Sequence, residues 1–160
     1  FNEDLRRVRE FLPAGEFDVV TMNPPYKAEG AGIVSADGAA AMARHGLCCS
    51  LDDMCSAAAW LLKFGGKFCV CLRPERLCEL MCRMSAAGIE PKKLRTVSKR
   101  DSFAPWLVLV EGRRGGKPGM TVEPQLNIYD GDGYSEYMKS LYSDYERERE
   151  NNDRERKNTD

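Results

Sequence analysis

Apolar and polar positions recur along the chain with the periods of helices and strands, and they predict a mixed α/β protein. Residues 3 to 12 space their apolar side chains as a short amphipathic helix does. The run Phe17–Met22 is apolar and rich in β-branched residues, which is typical of a strand buried on both faces of a parallel sheet. Because two prolines follow, this strand is predicted to end at Asn23.

Helices and strands continue to alternate after residue 50. Ser50, with Asp53 three residues later, predicts a capped helix that runs to about Phe64 and closes at Gly65 and Gly66. Two strands without a helix between them are expected to be antiparallel neighbours or to lie at separate edges of the sheet. The predicted fold class is α/β with a mixed sheet and an antiparallel final strand. The further predicted elements are a strand over 67–72, a helix over 74–87, strands over 94–98 and 106–111, an edge segment over 126–129 and a helix over 135–145.

Two segments lack the pattern of a packed core. Residues 27–46 are rich in Ala and Gly without a clear period, which predicts a mobile loop. Residues 146–160 contain no apolar side chain and are expected to form a solvated, charged tail. The predicted organisation is therefore one domain over residues 1–145, followed by the tail.

Charge and hydropathy narrow the possible partners. The 160 residues carry a formal net charge of -1, from 24 basic and 25 acidic side chains, so nucleic-acid binding would depend on a local patch. No apolar run approaches the roughly 20 residues that a membrane-spanning helix needs, which predicts a soluble, cytoplasmic protein without a membrane partner. The candidate phosphate-binding cations, for which ordinary surface charge is the preferred explanation, are Lys92, Lys93, Arg95, Lys99, Arg100, Arg113, Arg114 and Lys117.

The cysteines do not indicate a disulfide framework. There are seven of them, an odd number, without a C-x-x-C pair. Cys69 and Cys71 would share a strand face, and Cys78 and Cys82 a helix face, so a four-thiolate metal site is geometrically conceivable. Reduced cysteines commonly serve as small buried hydrophobic residues, and we prefer that interpretation and predict no metal.

The tetrapeptide Asn23-Pro24-Pro25-Tyr26 follows the first predicted strand and carries the strongest chemical signal. An amine attached to a planar ring is a poor nucleophile, because its lone pair is delocalised. The side-chain carbonyl of Asn23 and the backbone carbonyl of Pro24 can each accept one amine hydrogen and so localise that lone pair. Tyr26 offers a flat face on which a flipped-out base can stack. The competing interpretation is a turn that merely ends a strand.

The segment Phe17 to Tyr26 resembles the amino-methyltransferases with a (D/N/S)-PP-(Y/F/W) motif. Downstream segments, over about residues 15 to 145, resemble the bacterial tRNA adenine-N6 methyltransferases that modify valine tRNA beside the anticodon. The segments that carry this resemblance are Ala43-Arg44-His45, Leu51-Asp52-Asp53, Ala58 to Lys63, Gly65 to Phe68, Arg73 to Leu77, Glu90 to Arg95, Leu107 to Gly116 and Ile128 to Tyr134.

The resemblance implies the C-terminal portion of a class I, Rossmann-like methyltransferase that uses S-adenosyl-L-methionine and acts on tRNA. It implies catalytic roles for Asn23, Pro24 and Tyr26, substrate binding by Pro25 and Tyr26, and cofactor binding by Asn23. The family's glycine-rich cofactor loop does not appear before Phe17, so we expect the cofactor-binding half to be missing from this chain.

Two other functions remain open from the sequence. A protein glutamine N-methyltransferase is one, since the same tetrad can orient a side-chain amide nitrogen. A non-catalytic RNA-binding remnant is the other. His45, the only histidine, fits an RNA contact and a solvated loop about equally well, and Trp106 is predicted to pack in the core or at an edge.

Overall fold

The computed structural model describes residues 3–24, 49–101 and 103–143, and these form a layered α/β unit. The predicted loop over 27–46, with His45, and the predicted tail over 146–160 lie outside the described residues. In chain order the elements are a 3₁₀ turn Leu5–Arg7, α1 Val8–Phe11, β1 Phe17–Met22, α2 Leu51–Leu61, β2 Leu62–Leu72, a 3₁₀ turn Pro74–Arg76, α3 Leu77–Ala86, β3 Ile89–Ser98, β4 Leu107–Arg114, β5 Thr121–Asn127, β6 Tyr129–Asp130, β7 Gly133–Tyr134 and a helix, α4, over 136–143.

Five of the strands form one sheet in the order β1-β2-β4-β3-β5. β1 runs parallel to β2, and β3 runs parallel to β5, whereas β4 is antiparallel to both of its neighbours, β2 and β3. The predicted mixed sheet and the predicted antiparallel pairing of β3 with β4 are therefore confirmed. The antiparallel strand is β4, and the last strand of this sheet along the chain, β5, is parallel to its neighbour.

Helices α2 and α3 cover one face of the sheet and bury the main core there. Strand β2 alternates between buried and more exposed side chains, so that Phe68, Val70 and Leu72 all face the helices. The core cluster joins these side chains to residues of both helices, including Leu80 and Met84. The opposite face, by the same alternation, presents Cys69 and Cys71 on β2.

β1 has the predicted bounds, but the prediction that it is buried on both faces is wrong. Among the described strands it pairs only with β2, and it is therefore an edge strand. Phe17 remains 39% exposed and Val19 50% exposed. Burial of an apolar strand requires covering elements on both sides, and the described part of the chain covers only one of them.

The helix that begins at Ser50 ends earlier than predicted. Its predicted cap is confirmed, because Ser50 and Asp53 form a reciprocal capping box. The helix ends at Leu61 rather than near Phe64, and β2 begins at the next residue. Between the pairs Phe17 with Leu62 and Val19 with Lys67 the register shifts, so residues 63–66 bulge out of β2.

The end of the chain contains more strand than predicted. The predicted edge segment over 126–129 is instead the longer strand β5, which begins at Thr121 although Pro124 interrupts its hydrogen-bonding pattern. Tyr129 and Tyr134 then face each other across the small hairpin of β6 and β7, with their rings stacked 5.4 Å apart. A helix over 136–143 follows, within the predicted range.

Candidate active site

Asn23 comes directly after β1, at the carboxyl end of the strand. Its side chain is exposed, whereas the adjoining Pro24 is buried. Proline has a fixed φ and no N–H group, so a buried proline restricts the backbone direction at this point without leaving an unpaired donor. The structure therefore holds the Asn23 amide open to solvent at the end of a short, defined strand. Pro25 and Tyr26 lie outside the described residues, and their roles stay predictions.

An open groove of about 520 Å³ lies beside Asn23, on the sheet face that α2 and α3 leave uncovered. Its floor comes from β1, β2, β3 and β4, and β5 and α4 line its far side. Only topology brings these segments together, since they are up to about a hundred residues apart in the chain. The residues that line the groove are Thr21, Met22, Asn23, Cys69, Val70, Cys71, Lys93, Arg95, Leu109, Val110, Glu111, Glu123 and Tyr137.

The two carboxylates that line the groove each have a lysine neighbour. Lys93 lies 3.6 Å from Glu123. Glu111 lies 3.9 Å from Lys67, and both of these carboxylates are about one-third exposed or less. Partly exposed ion pairs contribute little to stability, but they leave each carboxylate with a cationic neighbour. Each glutamate that lines the groove therefore has a cation close to it.

Arg95 links the groove to α4. Its Nε donates a hydrogen bond of 3.0 Å to the carbonyl oxygen of Pro124, and its guanidinium carbon lies 4.8 Å from the centre of the Tyr137 ring. Both contacts fix the guanidinium in place, and neither neutralises its charge. Arg95 is one of the cations that the sequence suggested for phosphate binding, and in the structure it borders the groove.

Cys69, on the groove face, is a poor candidate for nucleophilic catalysis. Burial raises the pKa of the Cys69 thiol, and the carboxylate of Glu111 raises it further. A thiol with a raised pKa is mostly protonated at neutral pH and reacts slowly. Cys78 and Cys82 lie on α3, on the other side of the sheet, so the four-thiolate arrangement that the sequence allowed does not come together. Among the residues that the structure describes, no group of metal-binding side chains is found.

The remaining residues that the sequence singled out do not line the groove. Trp106 is half-buried at the start of β4, in agreement with a packing role, and its backbone N–H donates to the carbonyl oxygen of Val97 at 3.0 Å. The predicted basic patch is divided between the two ends of the sheet. Lys99 and Arg100 follow β3 at its carboxyl end. Arg113 and Arg114, the last two residues of β4, lie at the opposite end of the sheet. Within the described ranges, no helix is long and apolar enough to cross a membrane.

Comparison with known proteins shows the fold. Neither a protein-family model nor a curated protein sequence matches the chain. A predicted O-methyltransferase from Agrobacterium tumefaciens is similar in structure, with a TM-score of 0.65 and 19% sequence identity over 84% of this chain and 55% of that chain. This likeness confirms the predicted fold class, the mixed α/β sheet of the class I methyltransferases.

A weaker likeness connects the chain to a proposed DNA modification methylase from Thermus thermophilus. The TM-score is 0.49 and the sequence identity 16%, over 72% of this chain and 53% of that chain. This chain spans about half the length of the solved structures that it matches.

Proposed function

We propose that this chain carries the substrate-activating part of an S-adenosylmethionine-dependent methyltransferase that methylates N6 of an adenine in tRNA. The observation that carries the proposal is the exposed Asn23 amide, placed at the carboxyl end of a parallel strand with a buried proline behind it and a groove beside it. In doubly wound sheets, ligands bind at this end of the strands.

The chemistry follows from the hydrogen-bonding capacity of the motif. The side-chain oxygen of Asn23 and the carbonyl oxygen of Pro24 each accept one hydrogen from the adenine amine, which directs the nitrogen lone pair away from the ring. The methylated nitrogen then gives its extra proton to solvent water, since Asn23 is exposed, so no carboxylate is needed to deprotonate the amine beforehand. Tyr26 stacks on the flipped-out base, a contact of about 1–3 kcal/mol in comparable nucleic-acid sites.

The described residues fit only the reacting end of the cofactor. When bound, S-adenosylmethionine supplies an electrophilic methyl group. Asn23 and Leu109 both line the groove, so a polar group lies beside an apolar side chain there. In the described part of the chain, no strand leads through a glycine-rich turn into a helix, which is the usual nucleotide-binding arrangement. Most of the cofactor's binding energy is therefore assigned to residues beyond this groove.

The choice of tRNA rests on the resemblance of residues 15 to 145 to the bacterial tRNA adenine-N6 methyltransferases. A protein glutamine side chain is the second candidate, since its amide nitrogen also carries a delocalised lone pair that two acceptors can localise. The groove favours the planar base, because it is broad and open and its lining is mostly apolar. Stacking also suits a flat ring better than a flexible glutamine.

The test is transfer of a tritiated methyl group to bulk tRNA, followed by nucleoside analysis. The assay uses this chain and, in parallel, the product of the complete reading frame that contains it. We expect N6-methyladenine as the product and a rate about a hundredfold lower for Asn23→Ala, by analogy with the loss of one electrostatic partner at an active site. Asn127→Ala, at the other edge of the sheet, is the matched control and should retain the rate of the unmodified protein.

Three results would count against the proposal. Methylated glutamine in a peptide, with tRNA unlabelled, would establish the second candidate. A rate equally reduced in Asn23→Ala and Asn127→Ala would show that Asn23 has no specific role in methyl transfer. RNA binding that survives Asn23→Ala, with no methyl transfer by the complete protein, would indicate a non-catalytic RNA-binding remnant.

A further inference from the structure

Four cations surround the turn that follows β4, at the end of the sheet opposite Asn23. They come from β3, from the last two residues of β4 and from the turn itself. Three of these cations, together with the exposed ring of Phe64, define what we call the Phe64 patch: Phe64, Lys92, Arg113 and Lys117. Arg114 alternates with Arg113 along β4 and lines a cavity on the helix side of the sheet.

Two of the three cations of the Phe64 patch, Lys92 and Arg113, are held in place by neutral backbone carbonyls. The Nε of Arg113 donates to the carbonyl oxygen of Gly65 at 3.0 Å. Lys92 is held in the same way: its Nζ donates to the carbonyl oxygen of Lys117 at 3.0 Å and to that of Gly119. These hydrogen bonds position the cations without cancelling their charge.

Other lysines of the described chain are arranged differently. Lys63, Lys93 and Lys139 each form an ion pair with a carboxylate. Among the described residues, no carboxylate forms an ion pair with a cation of the Phe64 patch, although Glu90 is the register partner of Arg113. The patch is therefore a concentration of positive charge in a chain whose net charge is close to zero.

Phe64 adds an exposed aromatic face to this charge. It lies in the bulge of β2 and is 87% exposed, the most exposed of the large apolar side chains described. Its ring rests over Gly115, where a Cβ would approach the ring's Cε2 to 2.2 Å. Gly115 also has a φ of 66°. The backbone thus supports an aromatic ring that the apolar core does not cover, next to uncompensated cations.

The patch is close enough to Asn23 for one RNA molecule to contact both. Met22 is level with Val110 in the sheet, through Val70 of β2. Arg113 lies three residues further along β4, a distance of about 10 Å along the strand, and β1 and β4 are separated by two strand spacings, or about 10 Å. The backbones of Met22 and Arg113 are therefore roughly 14 Å apart by these spacings.

We propose that the Phe64 patch binds the sugar-phosphate backbone of the RNA substrate, with Phe64 stacking on an unpaired base outside the reacting nucleotide. The proposal rests on the proposed function for the choice of RNA. Spaced cations without acidic partners match the regular phosphates of a nucleic-acid strand, and an exposed aromatic ring matches an unstacked base. A single small anion would leave most of these cations unused.

The experiment measures binding of a fluorescein-labelled RNA hairpin with an unpaired loop to the full 160-residue chain, by anisotropy at several salt concentrations and without a methyl donor. Arg113→Gln combined with Lys117→Gln should weaken binding several-fold and reduce the slope of log K against log salt by about 2, at roughly one for each phosphate that is no longer neutralised. Phe64→Ser should weaken binding about fivefold or more with little change in slope, since stacking releases no counterions.

The matched control is Arg7→Gln combined with Lys139→Gln. It also removes one arginine charge and one lysine charge, but each of these is paired with a glutamate. This control should keep the slope of the unmodified chain. Equal weakening in both double variants, or an unchanged slope in Arg113→Gln/Lys117→Gln, would overturn the proposal. So would weakening seen only with a DNA hairpin of the same sequence. Phe64 is exposed, so Phe64→Ser is expected to fold and still measures the contribution of the patch if the double variant fails to fold.

Binding and methylation are measured separately, so the two proposals can fail independently. A changed slope without any methyl transfer would retain the patch and reject the methyltransferase. Methyl transfer to tRNA with an unchanged slope would retain the methyltransferase and reject the patch.

Discussion

The side chains of Ser50 and Asp53 each accept a hydrogen bond from the other residue's backbone N–H at the start of α2. The Asp53 N–H donates to the Ser50 Oγ at 3.1 Å, and the Ser50 N–H donates to the Asp53 carboxylate at 3.0 Å. Two donors that a helix start would otherwise leave unpaired are thereby used. Since α2 packs on the sheet through its buried side chains, this cap also positions the helix against the core.

Ser50→Ala should lower the free energy of unfolding by about 1 kcal/mol, because it removes the hydroxyl that caps the helix. Urea denaturation monitored by circular dichroism measures the difference. Ser85→Ala, an exposed serine within α3, is the control and should change stability by less than about 0.5 kcal/mol. Similar losses in the two variants would mean that the capping box contributes little.

Gly112→Ala should destabilise the fold by about 1–3 kcal/mol. A Cβ at Gly112 would come 2.1 Å from the Cε of Met84 and 2.7 Å from the Cγ2 of Ile89, so α3 and β3 would have to shift. The measurement is the midpoint of thermal unfolding. Gly133→Ala is the matched control, since a Cβ there meets no atom within 4 Å. A Gly112→Ala protein as stable as Gly133→Ala would show that the Met84 side chain moves away without cost.

Stability should fall as pH rises above about 9. Burial, together with the Asp52 charge, raises the pKa of the Cys55 thiol to about 12 from an ordinary value of 9.0. The unfolded chain therefore loses this proton first, which favours unfolding between the two values, while the contribution is complete below pH 9. The measurement is urea denaturation between about pH 8.5 and 10.5.

Substitution of the cysteine separates this effect from general alkaline unfolding. Cys55→Ala should show a shallower decline with pH than the unmodified chain, whatever its absolute stability. Cys78→Ala removes an exposed thiol and should leave the decline unchanged. If Cys55→Ala declines as steeply as the unmodified protein, another group dominates the alkaline response.

Trp60→Phe should cost about 1 kcal/mol of stability. The indole Nε1 donates a hydrogen bond of 3.0 Å to the carbonyl oxygen of Leu12, and the Arg9 guanidinium lies 5.2 Å from the ring centre. Phenylalanine keeps an aromatic surface for Arg9 but leaves the Leu12 carbonyl unpaired. Amide hydrogen exchange over residues 8–12 should then become faster, whereas exchange in β4 should not change.

The sequence predicted those features that depend on neighbouring residues. The end of β1 at Asn23 and the capping of α2 by Ser50 both follow from side chains within a few positions, and both agree with the structure. The exposure of Phe17 could not be predicted, because it depends on which elements cover β1. β5 was largely missed, since Pro124 and its polar residues argue against a strand and only pairing with β3 creates it.

The same distinction applies to the site. The Asn23 motif is visible in the sequence as four consecutive residues. The groove beside it is not, because Lys93 and Glu123 meet only through the parallel pairing of β3 with β5. The Phe64 patch also depends on a long-range contact, between the bulge of β2 and the turn after β4. Its cations were suggested by composition, but its aromatic residue was not.

The edge position of β1 has a consequence for how the Asn23 motif becomes ordered. Among the described strands, β1 pairs only with β2. The backbone N–H and C=O groups on its other side can therefore pair with an additional strand. A strand that adds there would extend the sheet and at the same time restrict the backbone that leads into Asn23 and Pro24. Covering this edge and preorganising the asparagine amide would then be thermodynamically linked, so that each makes the other more favourable by the same free energy.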